Sequence, residues 1–105
     1  MQMIRAIIRP EKVDDVIIAL DDEQFHSVTV MDAEGRGIQK GLNKGDEHFD
    51  QLPKKLLILV VEDEDVDFVV DLISEEAFTG NPGDGKIFVS PVLEAYTIRT
   101  RSQGL

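Results

Sequence analysis

The stretch Ile4 to Leu20, IRAIIRPEKVDDVIIAL, has a counterpart further along the same chain. Displaced by 53 positions it lies over LILVVEDEDVDFVVDLI, residues 57–73, without a gap. Val13 falls on Val66, Val16 on Val69, Ile17 on Val70 and Leu20 on Ile73. Those positions recur at i, i+3, i+4 and i+7, the spacing of a helix that buries one stripe. Ahead of the first helix, MIRAII (residues 3–8) alternates as a strand does, with Ile4, Ala6 and Ile8 on one face. Pro10 suits the first helical position, where a missing N–H costs nothing. Asp63, Glu64 and Asp65 suit the positive end of the second helix dipole.

Working outward, HSVTVMD (26–32) reads as a second strand, KKLLILVVE (54–62) as a third and KIFVSPV (86–92) as a fourth. AYTIRT (95–100) is a candidate for one more. EGRGIQKGLNKGDEHFDQ (34–51) carries four glycines and no apolar period, so it reads as a long loop. Two copies of strand–helix–strand make βαββαβ. The fold class is α+β, ferredoxin-like, with two helices on one face of an antiparallel four-stranded sheet. Residues 1–105 form one domain.

The third strand is apolar at six consecutive positions, Leu56 to Val61. Such a run belongs to a strand buried on both faces. It predicts an oligomer packed sheet to sheet, unless the chain's own C-terminal segment covers the second face.

Composition excludes several classes. There is no cysteine, hence no disulfide, zinc–thiolate site, iron–sulfur cluster or thiol catalysis. Eleven Lys and Arg against 21 Asp and Glu give a net charge of −10. Such a surface repels phosphate backbones and anionic bilayers, so no nucleic acid and no membrane insertion are expected. No run approaches a membrane span and the start reads as no targeting peptide, so the expected location is cytoplasmic.

Against that acidic background two glycine-rich loops carry cations. TGNPGDGKIF (79–88) places Gly83 and Gly85 beside Lys86. Exposed successive N–H groups form an anion-binding nest, and a lysine adds the charge a phosphate favours. This is not a P-loop, since it leads into a strand and lacks the final Ser/Thr pattern. Taken alone it is equally a connector with an incidental lysine. GRGIQKG (35–41) again exposes backbone at Gly35, Gly37 and Gly41, and Gln39 offers a neutral oxygen suited to Mg²⁺. Lys54 in LPKK, and Arg99 and Arg101 in TIRTR, read singly as surface cations. Together these residues point to a phosphate-bearing ligand. His26 and His48 have no partners spaced for a triad or a metal site, and EDED (62–65) reads as a solvated helix start.

IIRPEKVDDVIIAL, TVMDAEGRGIQKG, LPKK, TGNPGDGKIFVSPV and IRT, in that order, resemble the signature segments of the PII nitrogen-regulatory signal proteins. The resemblance spans nearly the whole chain and is strongest to the nitrogenase-linked branch of archaea and anaerobic bacteria. It implies a homotrimer, or a mixed assembly with a paralogue, that senses ATP or ADP with Mg²⁺ and 2-oxoglutarate and is not an enzyme. Nucleotide would lie between subunits, held by Thr29, Gly37, Ile38, Gln39, Thr79, Gly83, Asp84, Gly85, Lys86, Thr97 and Arg99. Gln39 would coordinate the metal. Gln39, Lys40, Gly41 and Lys54 would hold 2-oxoglutarate. A target-docking T-loop would span about residues 37–53. Ile38 and Thr97 stand where the family pattern has arginines, and Arg101 stands at a typical glycine. His48 lies about where enterobacterial members carry the uridylylated tyrosine. The implied target is nitrogenase, inhibited when 2-oxoglutarate is low. The alternatives are a PII-type sensor acting on an ammonium transporter or another metabolic target, and a small phosphate-handling enzyme. Gly85→Ala is expected to weaken nucleotide binding more than it destabilises the fold.

Overall fold

The computed structural model describes residues 1–38 and 49–105. Strand β1 (Gln2–Ile8) leads through a 3-10 turn at Pro10–Lys12 into helix α1 (Val13–Asp22). Strands β2 (Thr29–Ile38) and β3 (Phe49–Val61) follow. A second 3-10 turn at Asp63–Asp65 leads into helix α2 (Val66–Ala77), and strand β4 (Gly85–Pro91) closes the sheet. The internal repeat therefore holds in the structure at the start of each helical unit. Both 3-10 turns, and both helix starts, stand 53 residues apart.

The sheet order is β2-β3-β1-β4, and β1 pairs antiparallel with β3 and β4, as β2 does with β3. This is the ferredoxin-like arrangement the repeat predicts. Ile4, Ala6 and Ile8 of β1 and Leu57, Leu59 and Val61 of β3 turn one face of the sheet to the helices. Val16 and Leu20 of α1 and Val69 and Ile73 of α2 meet them, all four with no exposed surface. Each such aliphatic side chain contributes roughly 1.5–3 kcal/mol by leaving water. The opposite stripe of each helix is acidic, with Asp14, Asp15, Asp21 and Asp22 on α1 and Asp67, Asp71, Glu75 and Glu76 on α2.

The helix-free face is also apolar. Register places Leu56, Ile58 and Val60 beside Ile7, Arg5 and Met3. Met31 and Phe88, on the flanking strands, are about half exposed. The C-terminal segment reaches only one corner of this face, where Ala95, Tyr96 and Thr97 border a groove with Ile58 and Val60.

Two expectations need correction. The segment 34–51, read as loop from its glycines, is strand at both ends, with pairing that continues to Ile38↔Phe49. Glycine weakens a strand but does not forbid one when the partner strand supplies the ladder. The β2–β3 hairpin therefore takes in residues 37–38 and 49–53 of the expected T-loop, and residues 39–48 lie outside the described part. AYTIRT is not a strand. Only Tyr96 forms an isolated bridge, to Gln103, and residues 98–100 are a turn.

Candidate functional site

Arg9 follows β1 in extended conformation (φ −63°, ψ 139°), as a residue before proline must. Strand alternation carries it to the helix-free face, where Lys54 lies on the neighbouring β3. Over these two cations folds the loop between α2 and β4.

That loop is organised around one carboxylate. Asp84 accepts hydrogen bonds from the Thr79 amide (2.8 Å), the Gly80 amide (2.9 Å), the Thr79 hydroxyl and Arg9 Nε (3.0 Å). The donors hold the Asp84 carboxyl well below the usual carboxylate range, with the Thr79 hydroxyl and amide contributing most. Arg9 Nη2 donates to the Pro82 carbonyl at 2.9 Å, and Lys54 Nζ donates to the Gly83 carbonyl. Lys54 is 9% exposed, so its ammonium is held under the loop. The loop is thus shaped before any ligand arrives. Asp84 is committed inward, which leaves backbone N–H groups and the exposed Lys86 to meet an anion.

Two glycines make the shape available. Gly83 and Gly85 have φ of +101° and +109°. The nearest atoms to a Cβ on Gly83 would be the side-chain ends of Arg9 (3.3 Å) and Lys54 (3.5 Å), the two cations that clasp the loop. A Cβ on Gly85 would sit 1.7 Å from the Ile7 carbonyl oxygen. The expectation that Gly85→Ala chiefly affects ligand binding is therefore overturned. Gly85 is where β4 comes into register with β1, and a side chain there pushes the strands apart. Gly83→Ala carries the strain of its φ and presses on the clasp, but its nearest contacts are side-chain ends rather than strand backbone.

Not all the expected ligand residues meet. Thr79, Gly83, Asp84, Gly85, Lys86 and Lys54 form one cluster. Thr29 and Thr97 share a different groove, of about 500 Å³, with Phe25, Ile58 and Tyr96. Thr29 pairs with Ile58, which lies opposite Arg5 and hence Phe88, three strand spacings away. That is about 14 Å across the sheet. Arg99 is exposed on the C-terminal hairpin beyond this second groove. Within one chain the two groups lie apart. Gly37 and Ile38 lie in β2, opposite Asp50 and Phe49. Gln39, Lys40 and Gly41 lie outside the described residues.

Arg9 is the residue that reading the sequence missed. The signal nearest to it in the sequence is a weak one. The repeat sets Arg9 against Glu62, a reversal of charge that Lys12 against Asp65 shares, so it marks the strand–helix junction without singling Arg9 out. His26, by contrast, contacts Asp21 and, at 3.3 Å, Gln24. Asp63 of the acidic run is engaged by the chain's own amino group at 2.9 Å. Among the described residues no group of three or more His, Asp or Glu side chains is placed to hold a metal ion. No helix is long and apolar enough to cross a membrane.

Comparison with known proteins gives the family. The family model described as "Nitrogen regulatory protein P-II" matches residues 1–102. "Nitrogen fixation nifHD region GlnB-like protein 1" of Methanobacterium ivanovii is 54% identical over 105 residues, all of both chains. The Methanococcus maripaludis protein of the same name is 53% identical over the same full span. "Nitrogen regulatory protein P-II 2" of Methanothermobacter thermautotrophicus is 47% identical, covering 99% of this chain and 94% of its own length. A ferredoxin-like repeat with a clasped GDGK turn, matched along its whole length to these proteins, belongs to the nitrogen regulatory protein P-II family.

Proposed function

We propose that this protein is a nitrogen-regulatory sensor that binds ATP or ADP with Mg²⁺, reads 2-oxoglutarate, and passes the result to a protein target through the loop joining β2 and β3. The observation that carries the reading is the pre-shaped Gly83–Lys86 turn, clasped by Arg9, Asp84 and Lys54. A cradle already shaped loses little conformational entropy on binding. Polyphosphate is held by the turn's N–H groups and Lys86. Lys54, with Gln39, Lys40 and Gly41, holds a 2-oxoglutarate carboxylate, and Gln39 carries the metal.

The second half of the nucleotide site comes from a neighbouring copy. Thr29, Thr97 and Arg99 lie too far across the sheet to join Lys86 within one chain, and the helix-free face offers the apolar surface for assembly. A trimer closed sheet to sheet brings the halves together and covers Leu56, Ile58 and Val60. No catalytic step is assigned: the carboxylate of the cradle, Asp84, is committed to Thr79, Gly80 and Arg9. Ligand binding acts by population shift: the ligands favour one loop state, and that state decides whether the target is held. The target is nitrogenase, consistent with the nif-region names of the relatives above. It is inhibited when 2-oxoglutarate is low.

Isothermal titration tests the sensing step. Mg-ATP is expected to bind alone, and 2-oxoglutarate only once Mg-ATP is present. Absence of 2-oxoglutarate heat in the presence of Mg-ATP sinks the proposal. Capture of targets from native lysate, with and without 2-oxoglutarate, separates nitrogenase from an ammonium transporter.

A further inference from the structure

A groove of about 490 Å³ runs between α1 and α2 on the outer surface of the helical layer. Its floor is apolar, with Ala19 from α1 and Phe68 and Leu72 from α2. Phe68 and Leu72 stand one helical turn apart, so they form one stripe. Phe68 packs its ring on Phe25, with centroids 6.3 Å apart, yet stays 49% exposed. From Phe68 to Glu76 the groove covers about 12 Å of helix axis at about 1.5 Å per residue, room for two turns of a helix laid along it.

The rim is wholly acidic. Asp22, Glu23, Asp71, Glu75 and Glu76 line it, all exposed. Among the described residues no Lys or Arg lies within ion-pair distance of any of the five. Glu75 and Glu76 occupy the last turn of α2, where the helix dipole disfavours negative charge and where no basic residue offsets it. The asymmetry extends beyond the groove. Residues 10–23 and 62–77 hold 14 of the chain's 21 acidic residues and a single cation, Lys12. These carboxylates do not converge on a metal, since among the described residues no group of three or more is so placed. The groove also lies on the side of the sheet away from Leu56, Ile58 and Val60, so sheet-to-sheet assembly leaves it open.

We infer that the α1–α2 groove docks a basic amphipathic helix of a partner protein. The partner's apolar stripe lies on Phe68, Leu72 and Ala19, and its Lys and Arg side chains meet the acidic rim. An apolar floor between charged walls is the arrangement that receives such a helix. The charge selects a basic partner and speeds its encounter, and the floor fixes its register. This contact is separate from the loop joining β2 and β3 and does not depend on a bound nucleotide.

The probe is a fluorescein-labelled synthetic peptide with leucines at i, i+3, i+4 and i+7 and lysines between them. A control peptide has the same composition with the leucines scattered. Fluorescence anisotropy with the full chain is expected to show the striped peptide binding at least tenfold more tightly than the scattered one. Phe68→Ser should weaken binding of the striped peptide at least fivefold. Glu75→Gln with Glu76→Gln should weaken it at least threefold while the melting temperature holds or rises, because like charges leave the end of α2. That pair keeps the test decisive even if Phe68→Ser fails to fold. Glu11→Gln with Asp14→Asn removes as many charges outside the groove and should change binding less than twofold. Equal binding of the two peptides, or an equal loss from the two double variants, means attraction by bulk charge and overturns the inference. So does a native chain that does not bind the striped peptide. If Phe68→Ser changes the sedimentation coefficient but not peptide binding, the groove joins copies of this chain, and the inference is likewise overturned.

Discussion

Replacing Gly85 by alanine separates two costs that usually travel together. The first is backbone strain, since φ at this position is +109° and an L-residue there loses about 1–2 kcal/mol. The second is steric. The new Cβ would lie 1.7 Å from the Ile7 carbonyl oxygen and 2.8 Å from its carbon. These are backbone atoms of a central strand and cannot swing aside as a side-chain tip can. The start of β4 must retreat until ordinary contact is restored, and the Ile7↔Lys86 and Ile8↔Gly85 pairs open. Losing one or two ladder hydrogen bonds costs about 0.5–1.5 kcal/mol each. The expected destabilisation is about 3–5 kcal/mol, a large part of a typical total of about 5–15 kcal/mol. Gly104→Ala supplies the control. Its φ is +102°, and a Cβ there meets nothing within 4 Å, so it carries strain alone. Urea unfolding of both variants at one protein concentration gives the comparison. Gly85→Ala should lose about 2–3 kcal/mol more than Gly104→Ala. If the two lose the same stability within about 0.5 kcal/mol, the contact with Ile7 carries no weight and the reasoning fails.

The remaining predictions concern the core and the cradle. Leu20→Ala and Ile73→Ala remove equivalent fully buried side chains of the two repeats, and each should cost about 2–5 kcal/mol by denaturant unfolding. Asp84 is held below its ordinary pKa, so its stabilising contribution is complete above the unfolded carboxylate value of about 3.9 and is lost as pH falls below it. Melting temperatures measured from pH 7 downward should therefore show an acid-side loss that Asp84→Asn reduces. Lys54→Met removes the buried ammonium under Gly83 and should abolish 2-oxoglutarate binding in titration while the far-UV circular dichroism spectrum stays native. Retained 2-oxoglutarate heat in that variant removes Lys54 from the site.

Much of the fold was legible because the repeat is carried by apolar spacing, and apolar spacing is what burial selects. Val13 and Val66 begin their helices, and Leu20 and Ile73 end up with no exposed surface, for the same reason. The glycine-rich segment after Asp32 was less legible. Gly35 and Gly37 argue locally against a strand, yet β3 lies alongside and its ladder decides the matter. The cradle was legible in its parts, since GDGK is a local motif. Its clasp was not, because Arg9 and Asp84 stand 75 residues apart and nothing in either neighbourhood signals the other.

The sequence by itself determined the repeated βαβ units, the inward stripe of each helix and the second apolar face of β3. Each follows from a periodicity of a few residues, which is local information. Tertiary structure alone decided that Gly85 cannot carry a side chain, that Asp84 turns inward onto Thr79, Gly80 and Arg9, and that Thr29 and Lys86 lie on different parts of the sheet. Those facts depend on strand order and register, which bring together or separate residues whose distance along the chain says nothing of their distance in space.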